Sequence, residues 1–78
     1  METLYLLVET DVGRLEEVMR RLQATPNVTE VQAVTGPFDV IVKIQADHIN
    51  TALDIVVHKI RKISGIKGTE TLVTMSGP

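Results

Sequence analysis

Residues 34–45 read VTGPFDVIVKIQ, and the order of residue types within them decides the fold. Thr35-Gly36-Pro37 is a turn signal. Beyond it Phe38, Val40, Val42 and Ile44 fall on one face of an extended chain, while Asp39, Ile41 and Lys43 fall on the other, which is the period of a strand. Val28 to Val34, on the near side of the turn, carries a weaker strand pattern. The short connection between the two predicts a β-hairpin.

A helical pattern lies on each side of this hairpin. Upstream, Leu15, Val18, Met19 and Leu22 recur at i, i+3, i+4 and i+7, one apolar stripe on a helix reaching Ala24 and closed by Thr25-Pro26-Asn27. Thr10 or Asp11 is the expected N-cap, and Glu16 with Arg20 and Glu17 with Arg21 are expected i,i+4 pairs. Downstream, Ile49, Ala52, Leu53, Val56, Ile60 and Ile63 form a longer stripe, with Asp47 as expected cap and Gly65 placed to end the helix in the left-handed conformation. Each helix is flanked at its outer end by another strand: Thr3–Glu9 (TLYLLVE) before the first, Ile66–Met75 (IKGTETLVTM) after the second. Ser76-Gly77-Pro78 reads as a frayed end.

The order is strand, helix, strand, strand, helix, strand. With right-handed crossovers it gives an α+β, ferredoxin-like βαββαβ sandwich, an antiparallel four-stranded sheet with both helices on one face. The other face of the sheet then lies bare. Tyr5 or Leu7, Ile41, Val73 and their neighbours are expected there, more apolar surface than a lone copy usually exposes. A dimer, joined face to face or edge to edge, is the economical cover.

The 78 residues fit one domain, 1–78, whose core is thin, since a chain this short buries only roughly 60% of its unfolded surface. There is no cysteine, so neither a disulfide nor a thiolate metal site can brace it. Stability has to come from packing, self-association or both. The net charge of −2 argues against unaided nucleic-acid binding; the cations at Lys59, Arg61, Lys62 and Lys67 read as a solvated helix end. No apolar run approaches the roughly 20 residues of a membrane span, and none has the flanks of a signal peptide. The expectation is a cytoplasmic protein.

The pattern offers little to an enzyme. His48 and His58 would stand about 15 Å apart along one helix, too far to share a metal. Ser64 and Ser76 lack the setting of a nucleophile, and no glycine-rich phosphate loop is present. No catalytic residue, metal or cofactor is expected. One local cluster stands out, Thr35-Gly36-Pro37-Phe38-Asp39. Gly36 allows positive φ, Phe38 is expected to anchor the turn in the core, and Asp39 is expected to project to the opposite face at the head of a strand. There it either caps the turn or accepts hydrogen bonds from a ligand ammonium, with turn N–H groups left for a carboxylate.

The hairpin Val34–Ile44 resembles the G-x-(Tyr/Phe)-Asp hairpin of the effector-binding domain, or RAM domain, of Lrp/AsnC transcription regulators. The likeness extends through LYLLVET, the first helix, NVTEVQAVTG, the second helix and IKGTETLVTM, whose Thr69 and Thr71 resemble the family's threonine-bearing last strand. The chain opens directly on a strand, without a helix-turn-helix segment, and so resembles a stand-alone member. The resemblance implies a homodimer assembling into a ring of dimers, an octamer or a decamer. It implies an amino-acid effector between dimers, near Gly36, Phe38 and Asp39 of one chain and Thr69 and Thr71 of a neighbour. It also implies action through assembly or through full-length Lrp/AsnC relatives, without direct nucleic-acid contact. Three rivals stand beside it. An ACT-type amino-acid-binding module would use the Gly13 loop in TDVGRL; the others are a small dimeric α/β-barrel enzyme and an assembly adaptor without ligand.

Overall fold

The computed structural model describes residues 1–75; Ser76-Gly77-Pro78, expected as a frayed end, lie outside them. The elements are β1 (Glu2–Thr10), α1 (Leu15–Gln23), β2 (Val28–Ala33), β3 (Val40–Ala46), α2 (Ile49–His58), a 3-10 turn (Ile60–Lys62) and β4 (Ile66–Val73). The four strands form one antiparallel sheet in the order β2-β3-β1-β4, the expected ferredoxin-like arrangement.

β1 is central. It pairs with β3 from Glu2↔Ala46 to Val8↔Val40, and with β4 from Leu4↔Val73 to Thr10↔Ile66. Residues opposite one another in a ladder share a face. Leu4, Leu6 and Val8 therefore join Val40, Val42 and Ile44 on one side, all fully buried against Val18 and Leu22 of α1, Ala52, Ile55 and Val56 of α2, and Ile60. No polar side chain is buried among the described residues. Tyr5, Leu7, Ile41 and Lys43 lie half-buried on the opposite, uncovered side. Val73, expected there, lies on the helix side instead, because its ladder partner is Leu4. Leu72, opposite Tyr5 and 47% exposed, is the last-strand residue of the open face.

Several local expectations give way to tertiary contacts. Arg14 stands at the N-cap of α1 without a side-chain cap bond, its N–H donating to the Asp11 carbonyl at 3.0 Å, so neither Thr10 nor Asp11 caps with its side chain. The Arg14 guanidinium donates to Glu17 at 2.8 Å and to Ser64 Oγ at 3.1 Å, and this bond holds the Glu17 carboxyl below its ordinary pKa. Glu17 is thereby taken from Arg21, and no Glu16–Arg20 pair forms among the described residues. His48, not Asp47, occupies the N-cap of α2, again without a side-chain cap bond. α2 stops at His58 rather than running to Ile63. The 3-10 turn takes over, closed by Ile63 N–H on Ile60 O at 2.9 Å, and keeps both isoleucines in the core.

Gly65 joins this turn to β4 at φ +100°, and its carbonyl accepts from Asp11 N–H at 2.8 Å. A Cβ added there would stand 2.9 Å from Val18 Cγ2 and 3.1 Å from Arg14 Cβ. Gly36 has φ +120° but nothing within 4 Å of such a Cβ. Gly65→Ala combines strain with overpacking and is expected to lower unfolding stability by about 2–4 kcal/mol, whereas Gly36→Ala carries the backbone strain alone, about 1–2 kcal/mol. Urea denaturation of the two variants checks this; equal losses would mean that the Val18 contact is not tight.

Candidate functional site

The ladder between β1 and β3 ends at Val8↔Val40, and beyond Glu9 the pairing of β1 with β4 slips to Thr10↔Ile66. Asp39 takes over where β3 stops. Its N–H donates to Val8 O at 2.9 Å and its carbonyl accepts from Val34 N–H at 2.9 Å, closing the hairpin. Its carboxylate oxygen Oδ2 accepts from Thr10 N–H at 2.8 Å and, at 3.3 Å, from the Thr10 hydroxyl. One residue thus ties the hairpin connection to the end of the central strand.

This differs from the sequence expectation in two respects. β3 begins at Val40, so Phe38 and Asp39 belong to the connection and do not alternate across a strand. Phe38 is half-buried and stands outside the core cluster, while Asp39 turns its carboxylate to Thr10 at the end of β1. The reason is the backbone of Thr10. Its N–H has no β3 carbonyl opposite it, and an unpaired N–H in a half-buried position costs more than the local preference of an isolated aspartate. Both bonds fall on Oδ2; Oδ1 makes no hydrogen bond among the described residues.

Gly36 lies at the exposed tip of the connection, with open space beside it. Thr69 stands across β1, opposite Val8 and half-buried. Thr71, one row further, is opposite Leu6 and exposed. Both threonines are on the helix side of the sheet, at the edge of β4 that the helices leave open. One chain therefore places Gly36, Phe38, Asp39 and Thr69 at the same end of the sheet, with the hairpin and the threonine about 10 Å apart across two strand spacings. It does not bring the two groups into contact.

The feature missed in the sequence adjoins Thr69. An open cleft of about 230 Å³ is lined by Arg61, Ile66, Lys67, Gly68 and Thr69. Its only trace in the sequence is the run of cations from Lys59 to Lys67, which reads as a helix end until the 3-10 turn folds Arg61 beside β4. His48 and His58 are both exposed, and no group of three or more His, Cys, Asp or Glu among the described residues could hold a metal ion. No helix among the described residues is long and apolar enough to cross a membrane.

The model of the Lrp/AsnC ligand binding domain matches residues 3–78. The chain belongs to the Lrp/AsnC family. Its fold superposes on the crystal structure of FFRP-DM1 with a TM-score of 0.90 at 36% identity, covering 96% of this chain and 100% of that one. The HTH-type transcriptional regulator FL11 of Pyrococcus horikoshii is 32% identical over 74 residues, covering 91% of this chain and 46% of the regulator. The chain thus spans about half the length of the Lrp/AsnC regulators it matches. A homocitrate synthase of Sulfurisphaera tokodaii matches at 34% identity over 58 residues, which is 12% of that enzyme. The curated relatives are otherwise mostly transcriptional regulators, and the Lrp/AsnC domain of this chain is a ligand-binding regulatory domain.

If Asp39 completes the ladder, Asp39→Ala is expected to cost about 1–3 kcal/mol by orphaning Thr10 N–H. Asp39→Asn, whose amide oxygen still accepts, should cost less. Hydrogen exchange reads this directly: the Thr10 amide should lose protection in the alanine variant, and unchanged protection there would remove the clamp from the account.

Proposed function

We propose that this Lrp/AsnC domain, residues 1–78, is a sensor that binds a small amino acid where copies of itself meet and acts through the assembly that results. The observation that carries the reading is that Gly36, Phe38, Asp39 and Thr69 share one end of the sheet while the hairpin and Thr69 stand two strands apart, so that each group is left for its counterpart on a neighbouring copy. Asp39 Oδ1 is left to receive a ligand ammonium, and the exposed turn around Gly36 supplies backbone N–H groups for a carboxylate. Thr69 and Thr71 of a neighbouring copy offer hydroxyls from the other side.

The open face of the sheet supports the pairing. Leu7, Ile41, Tyr5 and Leu72 form a diagonal apolar band across three strands, flanked by Lys43 and Glu70, suited to packing on its own symmetry mate. Dimers then join into a ring, an octamer or a decamer, with the effector between them. A ligand held at such a junction stabilises the ring only by the difference between its affinities for joined and separate dimers. The output passes to full-length Lrp/AsnC relatives by co-assembly, with no catalysis, no cofactor and no nucleic acid bound by this domain, in a cytoplasmic setting. The family match favours the Gly36 hairpin over the Gly13 loop that an ACT-type module would use.

Two measurements test this. In calorimetry, free amino acids at up to millimolar concentration should include at least one that binds. Asp39→Asn, which keeps the Thr10 bond but loses the charge, should weaken that amino acid by about tenfold or more, the scale of one charge-assisted hydrogen bond. Binding by no amino acid, or equal binding by the variant, sinks the site. In light scattering the protein should run as a multiple of the single chain, and Leu7→Lys, which sets a charge in the apolar band, should reduce that mass; a monomeric parent protein contradicts the assembly.

A further inference from the structure

Half of the chain's eight basic residues, Lys59, Arg61, Lys62 and Lys67, fall within nine positions that contain no acid. The C-terminal end of α2 accounts for cations near it, since helix carbonyls favour positive charge there. It does not account for where Arg61 goes. The chain leaves α2 at Lys59 and turns through the 3-10 residues, which sets Arg61 over the first residues of β4 as one wall of the cleft with Ile66, Lys67, Gly68 and Thr69.

The side chains that line the cleft are mostly donors, with one carboxylate beside them: Glu9 Oε1 lies 3.6 Å from where a Cβ on Gly68 would stand. Arg61 forms no ion pair among the described residues. Lys67 reaches Glu9 only at 3.9 Å, with both side chains largely in solvent. Glu70, the nearest acid along β4, pairs with Leu7 and so lies on the opposite face of the sheet. Backbone groups add to the donors. Thr74 N–H donates inward to Thr3 O, and N–H groups alternate along an antiparallel strand, so those of Thr71 and Thr69 point away from β1 at the open edge. The Thr69 hydroxyl has no partner among the described residues. A guanidinium, an ammonium, a hydroxyl and an edge N–H around about 230 Å³ of open space match an oxyanion, and in an amino-acid effector that group is a carboxylate.

We propose that this cleft is an anion subsite in which Arg61 of the copy that supplies Thr69, facing the hairpin of its neighbour, holds a side-chain carboxylate of the effector, so that the amino acid sensed is a dicarboxylic one. The proposal rests on the reading of Thr69 and Asp39 as effector contacts. In that reading Asp39 takes the ammonium, the hairpin N–H groups take the α-carboxylate, and a second carboxylate is what the Arg61 cleft is left to recognise. Selectivity against the amide analogue follows from charge, because an amide offers its own donors to a wall made of donors.

The test pairs glutamate with glutamine and aspartate with asparagine in calorimetry, on the parent protein and on Arg61→Gln and Arg61→Lys. Arg61 is exposed, so neither substitution disturbs the core. One acid should bind at least about tenfold tighter than its amide; Arg61→Gln should bring the pair within about twofold, and Arg61→Lys should restore part of the difference. Succinate, which has no ammonium, probes the cleft alone and should shift the amide resonances of Gly68 and Thr69 in the parent but not in Arg61→Gln. Binding of amino acids without preference for the acid overturns the inference and leaves the effector site standing. Succinate shifts without any amino-acid binding support the anion subsite and overturn the amino-acid reading. Silence in both arms overturns both.

Discussion

The whole molecule depends on the pairing of β1 on both sides. A central strand in a sheet this small meets the hydrogen-bonding needs of its own backbone and aligns two neighbours at once. Leu4, Leu6 and Val8 are fully buried on one side of it because both helices pack there, and the matching residues of β3 are buried for the same reason. The register is strongly specified as a consequence. A slip by one residue would bring Tyr5 and Leu7 under the helices and turn the leucines outward. With no polar residue in the core among the described residues, the aliphatic alternation sets the arrangement of the sheet.

The same strand organises the candidate site. Its far end, Val8 to Thr10, is where β3 stops pairing and β4 slips in register, so backbone groups there need partners that regular sheet cannot supply. Asp39 supplies one, and in doing so it positions the hairpin connection with Gly36 and Phe38. Thr69 and the Arg61 cleft flank the other side of the same strand end. Loops that carry function on a rigid scaffold are a general pattern; in this chain the scaffold is a strand terminus whose irregular pairing is met by an aspartate side chain. The aspartate that holds the loop commits Oδ2 to Thr10, and Oδ1 makes no hydrogen bond among the described residues.

The uncovered face of the sheet bears on how such a domain works. Leu7, Ile41, Tyr5 and Leu72 lie on that face only partly shielded by their own chain, with Lys43 and Glu70 beside them. Covering that face, as a second copy would, removes its apolar side chains from water.

The element order, the sheet and both helix stripes were legible in the sequence, because periods of two and of 3.6 in aliphatic residues are local signals that burial enforces. Gly36, Phe38, Asp39, Thr69 and Thr71 were singled out by the hairpin motif and the threonine-bearing last strand, and the sheet sets the hairpin and Thr69 at one end but two strands apart. What only the tertiary structure decided are the partners. The Asp39 carboxylate turned to Thr10, twenty-nine residues away, because a strand end elsewhere left an N–H unpaired. Val73 and Leu72 exchanged faces because the register against Leu4 and Tyr5 assigns them, and alternation by itself names two faces without saying which is covered. Arg61 became the wall of a cleft because α2 gave way to a tighter turn that kept Ile60 and Ile63 in the core. Periodicity depends on neighbours three or four residues away, whereas these contacts depend on which distant group is left unsatisfied once the sheet has closed.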